Sequence, residues 1–234
     1  MRISDHQHPI DTGVSSKPEA TEVISGLDLS GKTALVTGGY SGIGIETVKA
    51  LTSVGAHVVV PSRDIDRAVQ ALDGVIPADQ IGAMDLSDLP SVTAFGETFA
   101  RAYRVLDIAI FNAGVMACPL DRTQQGLEWQ LGVNHVGHFA LLRTLLPSLR
   151  AAKGARVVTL SSIAHRFSGI EFSYMNYDHR LYDKWQAYGQ TKSAQSLMSA
   201  ELYRRARAHG VRSFAVHPGG IFTPPPRHLG TDPI

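Results

Sequence analysis

Short apolar runs rich in β-branched residues alternate with stretches of helical period along most of this chain, and that alternation constrains the fold more than any other feature. The runs lie at 33–37, 57–60, 80–84, 105–111, 156–160 and 211–217. Between them a helical period fits 43–54, 64–72, 88–103, 124–150 and 185–209. The fourth of these helices has apolar residues at Leu127, Leu131, Phe139, Leu142, Leu146 and Leu149. Strands separated by helices join as parallel neighbours through right-handed crossovers. Near-continuous apolar strands are expected when helices cover both sheet faces. The expected fold is therefore α/β, a doubly wound parallel sheet of about six strands with helices on both faces.

The composition suits that fold. Of 234 residues, 44% are hydrophobic and 18% charged, enough apolar surface for a sizeable core. Residues 1–26 are polar and irregular, with Pro9, Gly13 and Pro18, and read as a flexible arm with a helical turn near Glu19–Ile24. Residues 27–234 read as one domain. The 22 Lys+Arg nearly cancel 21 Asp+Glu, so no basic excess points to nucleic acid. The single cysteine, Cys118, excludes an intramolecular disulfide and a Cys-rich zinc site, and fits a reducing, cytoplasmic setting. No apolar run approaches the ~20 residues of a membrane helix, and the first residues lack a secretory apolar segment. Ten histidines are present, but none has the helical spacing and partners of a metal site, so no metal is expected.

In an open parallel sheet, ligands bind beyond the carboxyl ends of the strands. This chain gathers small and polar residues there. The first run is followed by Gly38, Gly39, Tyr40, Ser41, Gly42, Ile43 and Gly44, and the second by Ser62 and Arg63. Asp85 and Leu86 follow the third, and Asn112, Ala113 and Gly114 the fourth. Ser161 and Ser162 follow the fifth, and Pro218 and Gly219 the sixth. Glycines let backbone amides approach a phosphate, which the amino end of the next helix also attracts. A tight βα turn alone would use glycines too, but the position between first strand and helix favours nucleotide binding. The spacing is Thr-Gly-x-x-x-Gly-x-Gly rather than the common Gly-x-Gly-x-x-Gly.

An NAD site presents a carboxylate to the ribose about 20 residues further on. Here the strand ends in Ser62 and Arg63, with Asp64 and Asp66 on the helix side of the turn. A guanidinium suits a 2′-phosphate, so NADP(H) is expected over NAD(H); a solvated loop arginine is the plain alternative. Tyr188 and Lys192 lie four apart on a helical stretch and share a face. A nearby ammonium lowers a phenol's pKa, so such a tyrosine can exchange a proton with a carbonyl or alcohol oxygen near neutral pH.

Together with TGGYSGIG (37–44), Asp85-Leu86, FNAG (111–114), Asn134, Ser161-Ser162, YGQTK (188–192) and HPGGIFT (217–223), this pair makes the chain resemble the short-chain dehydrogenase/reductase family from about Leu29 to Thr223. NAGVMACP (112–119) and GVNHVGHF (132–139) look like its branch of retinol dehydrogenases, WW-domain oxidoreductase and protochlorophyllide reductase. The resemblance implies a Rossmann-like domain and an NADP(H)-dependent oxidoreductase acting on a small carbonyl or alcohol, lipophilic if the branch is a guide. It implies Tyr188 as general acid/base, with Lys192 lowering its pKa and holding the nicotinamide ribose. Ser162 would bond the substrate oxygen, and Asn134 would hold a relay water and kink its helix. Asn112, with Ala113 and Gly114, would fix the cofactor and the central strand. Asp85, with Leu86, would meet the adenine, although Asp85 also reads as a helix cap. Thr223, beyond Pro218 and Gly219, would contact the carboxamide.

The family's pattern continues past Thr223 with a substrate-covering helix, another helix and a seventh strand. Here 11 residues follow, opening with Pro224-Pro225-Pro226. The expectation is a sheet without its seventh strand, an exposed sixth strand, self-association into a homo-oligomer and weak turnover. The alternative on the same fold is an NADP-binding protein with little or no turnover. A methyltransferase reading is opposed by the Tyr/Lys helix and the missing acidic residue after the second strand.

Overall fold

A computed structural model describes Gly13 and residues 18–220. Thr223 and the 224–226 proline run lie outside the described residues, as does most of the 1–26 arm. The helical turn expected near Glu19–Ile24 is present as α1 (Ala20–Val23). There follow β1 (Thr33–Val36), α2 (Gly42–Ser53), β2 (His57–Ser62), α3 (Ile65–Ala71), β3 (Ile81–Ala83), α4 (Leu89–Ala102) and β4 (Ile108–Phe111). Next come α5 (Trp129–Leu131), α6 (Gly137–Ala151), β5 (Arg156–Leu160), α7 (Lys184–Ala206) and β6 (Arg212–Val216).

All pairs are parallel, in one six-stranded sheet of order β3-β2-β1-β4-β5-β6. The order reverses between β1 and β4, which opens a crevice at their carboxyl ends. Successive strand residues face opposite sides. Ala34 and Val36 of β1 join a core with Val48 of α2, Val58 and Leu72. Leu35, between them, joins the opposite core with Phe99 of α4, Leu141 and Leu145 of α6 and Leu202 of α7. Both faces of the central strands are therefore buried.

Two expectations fail in instructive ways. The stretch 124–150 is not one helix. Arg122 and Glu128 close a turn through an antiparallel bridge, and helical backbone starts only at Trp129. The Glu128 carboxylate sets that start by accepting the amides of Gln130 and Leu131 at 3.0 and 2.7 Å. A π-helical segment, Gly132–Val136, then separates α5 from α6. A wider turn shifts the helix phase by one residue. Phe139, expected in the core, is 47% exposed, while Leu141 and Leu145 are fully buried.

The fourth strand is shorter than 105–111 because Asp107 turns its carboxylate to the Thr33 amide and the Lys32 ammonium, each at 3.0 Å. By contrast, β6 is exposed, as expected. It pairs with β5 on one side only among the described residues, and Phe214 and Val216 are exposed.

Candidate active site

The carboxyl ends of β1 and β4 are stitched together by side chains. Thr37 is fully buried, and its hydroxyl accepts the backbone amides of Asn112 and Ala113, each at 3.0 Å. Asn112 Nδ2 donates to the carbonyls of Thr37 and Gly38 at 3.0 and 3.2 Å. Gly38 has φ +65°, the left-handed region that favours glycine. A Cβ on Gly44 would lie 2.2 Å from the Gly38 oxygen and 2.6 Å from Asn112 Nδ2, so the helix approaches the loop only as glycine. Ser41 at the N-cap of α2 makes no side-chain cap, so the first turn keeps amides for an anion. Tyr40 and Ile43 flank this loop half-buried, beside Gly42.

At the end of β2, the Ser62 hydroxyl is occupied by its own turn. It donates to the Asp64 carbonyl at 2.8 Å and accepts the Asp64 amide at 3.1 Å. Asp64 caps α3 by accepting the Arg67 amide at 3.1 Å, which turns its charge away from the strand end. Arg63 is exposed and makes no ion pair among the described residues. Ser62 shapes the turn that presents Arg63. After β3, Asp85 Oδ1 accepts both the amide and the hydroxyl of Ser87, at 2.8 and 2.7 Å. Asp85 thus closes an Asx turn, and Asp88 occupies the N-cap of α4. Leu86 is buried, and its carbonyl packs where a Cβ on Gly137 would sit. After β6, Pro218 is half-buried and Gly219 exposed.

Asn134, Ser162, Tyr188 and Lys192 converge beyond β4 and β5. Lys192 is 5% exposed and donates from Nζ to the Leu160 carbonyl at 2.8 Å. Burial lowers its pKa to about 8. Its Nζ is 5.4 Å from the Tyr188 ring centroid. The position a Cβ on Gly114 would take lies 3.2 Å from Asn134 Oδ1 and 3.9 Å from Lys192 Nζ, so this backbone faces both. The Ser162 hydroxyl accepts the Ala164 amide at 3.2 Å. Burial pushes the Tyr188 phenol above its ordinary value, and the Ser162 hydroxyl only partly offsets this. The expected lowering by Lys192 does not prevail in the free protein. Desolvation of the phenolate wins, and the Lys192 ammonium is held by a backbone carbonyl.

Asn134 sits in the π segment and is fully buried. Its Oδ1 accepts the Val115 amide at 2.8 Å, and its Nδ2 donates to the Val115 carbonyl at 2.9 Å and to Thr191 Oγ1 at 3.2 Å. Its carbonyl accepts His138 Nδ1 at 2.8 Å and Gln195 Nε2. Its visible work is to fix the loop after β4 against α7.

Sequence reasoning missed a second buried network, before α7. Glu128 is fully buried, and burial raises its pKa. Tyr182 Oη lies 3.2 Å from Glu128 Oε1 and 2.9 Å from the Cys118 carbonyl. Gln130 Nε2 donates to Tyr182 Oη at 2.9 Å and to the Lys184 carbonyl at 3.0 Å. Gln130 Oε1 accepts the Ala117 amide at 2.9 Å. Asp183 then caps α7 by accepting the amides of Trp185 and Gln186 at 2.9 and 2.8 Å. The network ties the 117–131 loop to the start of the helix that carries Tyr188. A Glu-x-Gln pair inside a presumed amphipathic helix was the available signal. Cys118 is buried, and burial raises its thiol pKa, so it is a poor nucleophile. Among the described residues no cluster of three or more His, Cys, Asp and Glu could hold a metal, and no helix is long and apolar enough to cross a membrane.

Comparison with known proteins agrees with this fold. The family described as short chain dehydrogenase matches residues 32–232. Retinol dehydrogenase 11 of Mus musculus is 38% identical over 202 residues, which cover 84% of this chain and 64% of that protein. The chain thus spans less than two thirds of that relative's length. A solved Mycobacterium paratuberculosis protein superposes with a TM-score of 0.74 at 38% identity, covering 82% of this chain and 70% of that one. A metagenomic short-chain oxidoreductase in complex with NADP superposes with a TM-score of 0.66 at 27% identity, covering 82% of this chain and 84% of that one. The resemblance to the retinol dehydrogenase branch is borne out by identity along most of the chain. With the family matched across the glycine loop, the crevice and the Tyr188 helix together, the chain belongs to the short-chain dehydrogenase family.

Proposed function

We propose that this chain is an NADP(H)-dependent oxidoreductase that interconverts a carbonyl and an alcohol. The observation that carries this reading is the convergence of Tyr188, Ser162, Lys192 and Asn134 beside an uncapped helix start packed on glycines. These residues fit a dinucleotide. The amides of Gly42 and Ile43, with Gly38, Tyr40, Ser41 and Gly44 around them, would hold the pyrophosphate. Arg63, exposed and without an ion pair among the described residues, would meet the 2′-phosphate. Asp85 and Leu86 would border the adenine. Asn112, Ala113 and Gly114 would line the nicotinamide side, with Pro218, Gly219 and Thr223 beyond them.

A nicotinamide held there would supply the hydride. Tyr188 moves a proton at the substrate oxygen, and the Ser162 hydroxyl bonds that same oxygen. Lys192 would donate to the ribose hydroxyls and places a positive charge near the phenol. Burial holds the Tyr188 proton in place in the free protein, which suits delivery of a proton to a carbonyl. A lipophilic substrate is supported by the exposed Ile163 and Phe167 next to Ser162, and by the retinol dehydrogenases this chain resembles. The single buried Cys118 fits a reducing, cytoplasmic setting.

The test follows nicotinamide absorbance with NADPH and a panel of apolar aldehydes and ketones. Wild-type turnover is expected on at least one, and Tyr188→Phe should lower it about 10²- to 10⁴-fold while NADPH still binds. Turnover that survives in Tyr188→Phe removes the assignment.

A further inference from the structure

His138 is fully buried at the start of α6 and bridges the two halves of the site. Its Nδ1 lies 2.8 Å from the Asn134 carbonyl and its Nε2 lies 2.9 Å from Thr37 Oγ1. A carbonyl only accepts, so Nδ1 carries the proton and Nε2 must accept. The Thr37 hydroxyl therefore donates to Nε2. Its other neighbour, the Ile110 carbonyl, is farther off at 3.5 Å and already accepts the Thr37 amide. With its proton committed to His138, Thr37 Oγ1 offers both lone pairs to the amides of Asn112 and Ala113. One line of bonds thus runs from the β4 end through the glycine-loop threonine to the turn that holds Asn134.

We propose that His138 is a positioning residue that keeps the cofactor loop and the Asn134 turn in register. The inference rests on the nucleotide-binding reading above. It acts through a fixed tautomer: neither neighbour can rotate without leaving a buried donor or acceptor unpaired. The ring-to-ring contact with Phe111, 5.1 Å between centroids, fixes the imidazole plane against the β4 end.

The amide of a glutamine reaches the place of Nε2, whereas that of an asparagine reaches only the place of Nδ1. NADPH binding is measured by fluorescence for the wild type, His138→Asn, His138→Gln, Thr37→Val and the Thr37→Val/His138→Asn double variant. Amide hydrogen exchange at Asn112 and Ala113 is followed in the same chains without nucleotide. His138→Asn should weaken NADPH about tenfold, the loss of one buried hydrogen bond, and speed exchange at both amides; Thr37→Val, which also removes the acceptor of both amides, should do so at least as strongly. The double variant should be no worse than Thr37→Val alone, and His138→Gln should recover most of the affinity lost in His138→Asn. A role in stability alone would lower the melting temperature and leave the Kd of folded protein and the exchange of these amides unchanged. That result, or additive losses in the double variant, overturns the proposal. Should His138→Asn fail to fold, Thr37→Val against Thr37→Ser poses the same question from the other end of the bond. A wild-type chain that binds no NADPH removes the nucleotide reading instead, and exchange in the free chain still tests the coupling.

Discussion

Two buried polar networks flank the Tyr188–Lys192 pair, and they are built on opposite principles. On the cofactor side, Thr37, His138 and Asn134 form a neutral network in which each proton has one acceptor. On the far side, Glu128, Gln130 and Tyr182 surround a buried carboxyl group that caps a helix. Uncharged groups with matched partners cost little to bury. A carboxylate is tolerated only because two helix amides and a phenol share its charge. The first network holds strands to a loop, whereas the second holds a loop to the start of α7. The start of α7 is therefore held by the network around a carboxyl group, and its Thr191 turn by the neutral one through Asn134.

The sharpest way to break this comparison is Glu128→Ala. Two amides at the start of α5 lose their acceptor, and Tyr182 loses one of its two. Stability should fall by about 3–5 kcal/mol, and Glu128→Gln should recover part of it. Urea unfolding decides this, and a loss below about 1 kcal/mol would mean the carboxyl group is not a structural cap.

Acid titration separates the networks by sign. Burial lowers the His138 pKa from 6.5 to about 4. Between those values the unfolded chain binds a proton that the folded chain refuses, so stability falls as the pH drops through this window, by about 3 kcal/mol. Glu128 works the other way. Its raised pKa means that the folded carboxyl keeps its proton longer, so its contribution weakens as pH rises above the usual carboxylate range. His138→Asn should flatten the acid limb of stability against pH, and Glu128→Gln should steepen it. Parallel curves for wild type and His138→Asn would show that the imidazole is not the group being titrated.

The smallest effect is expected at the rim of the cofactor side, where Arg63 is free in solvent. Arg63→Ala should weaken NADPH about tenfold and leave NADH binding unchanged, because only the 2′-phosphate loses a charge-assisted bond. Equal losses for both nucleotides would place Arg63 elsewhere in the site.

Residues whose identity is forced by local geometry were readable without a structure. Gly38 and Gly44 stand where a left-handed φ and a close backbone approach admit nothing larger. Tyr188 and Lys192 announce a shared face by their spacing of four, and Arg63 stands at the end of an apolar run. The π segment was not readable. Gly132–Val136 carries a helical pattern, and only packing against Val115 and Thr191 widens that turn, which carries Phe139 outward and Leu141 inward. His138 could be read only as a histidine without metal partners, because its partners Thr37 and Asn134 come from different elements.

The sequence by itself determined the parallel sheet, the glycine loop at its carboxyl edge and the Tyr188–Lys192 face, because these depend on periodicity and on contacts between near neighbours. The tertiary structure decided protonation and orientation. It raised the Tyr188 pKa by burying the phenol, turned the Ser62 hydroxyl into its own turn and assigned the His138 proton to Nδ1. Those properties depend on which distant groups exclude water and which face each other at hydrogen-bond distance, and no spacing along the chain encodes that.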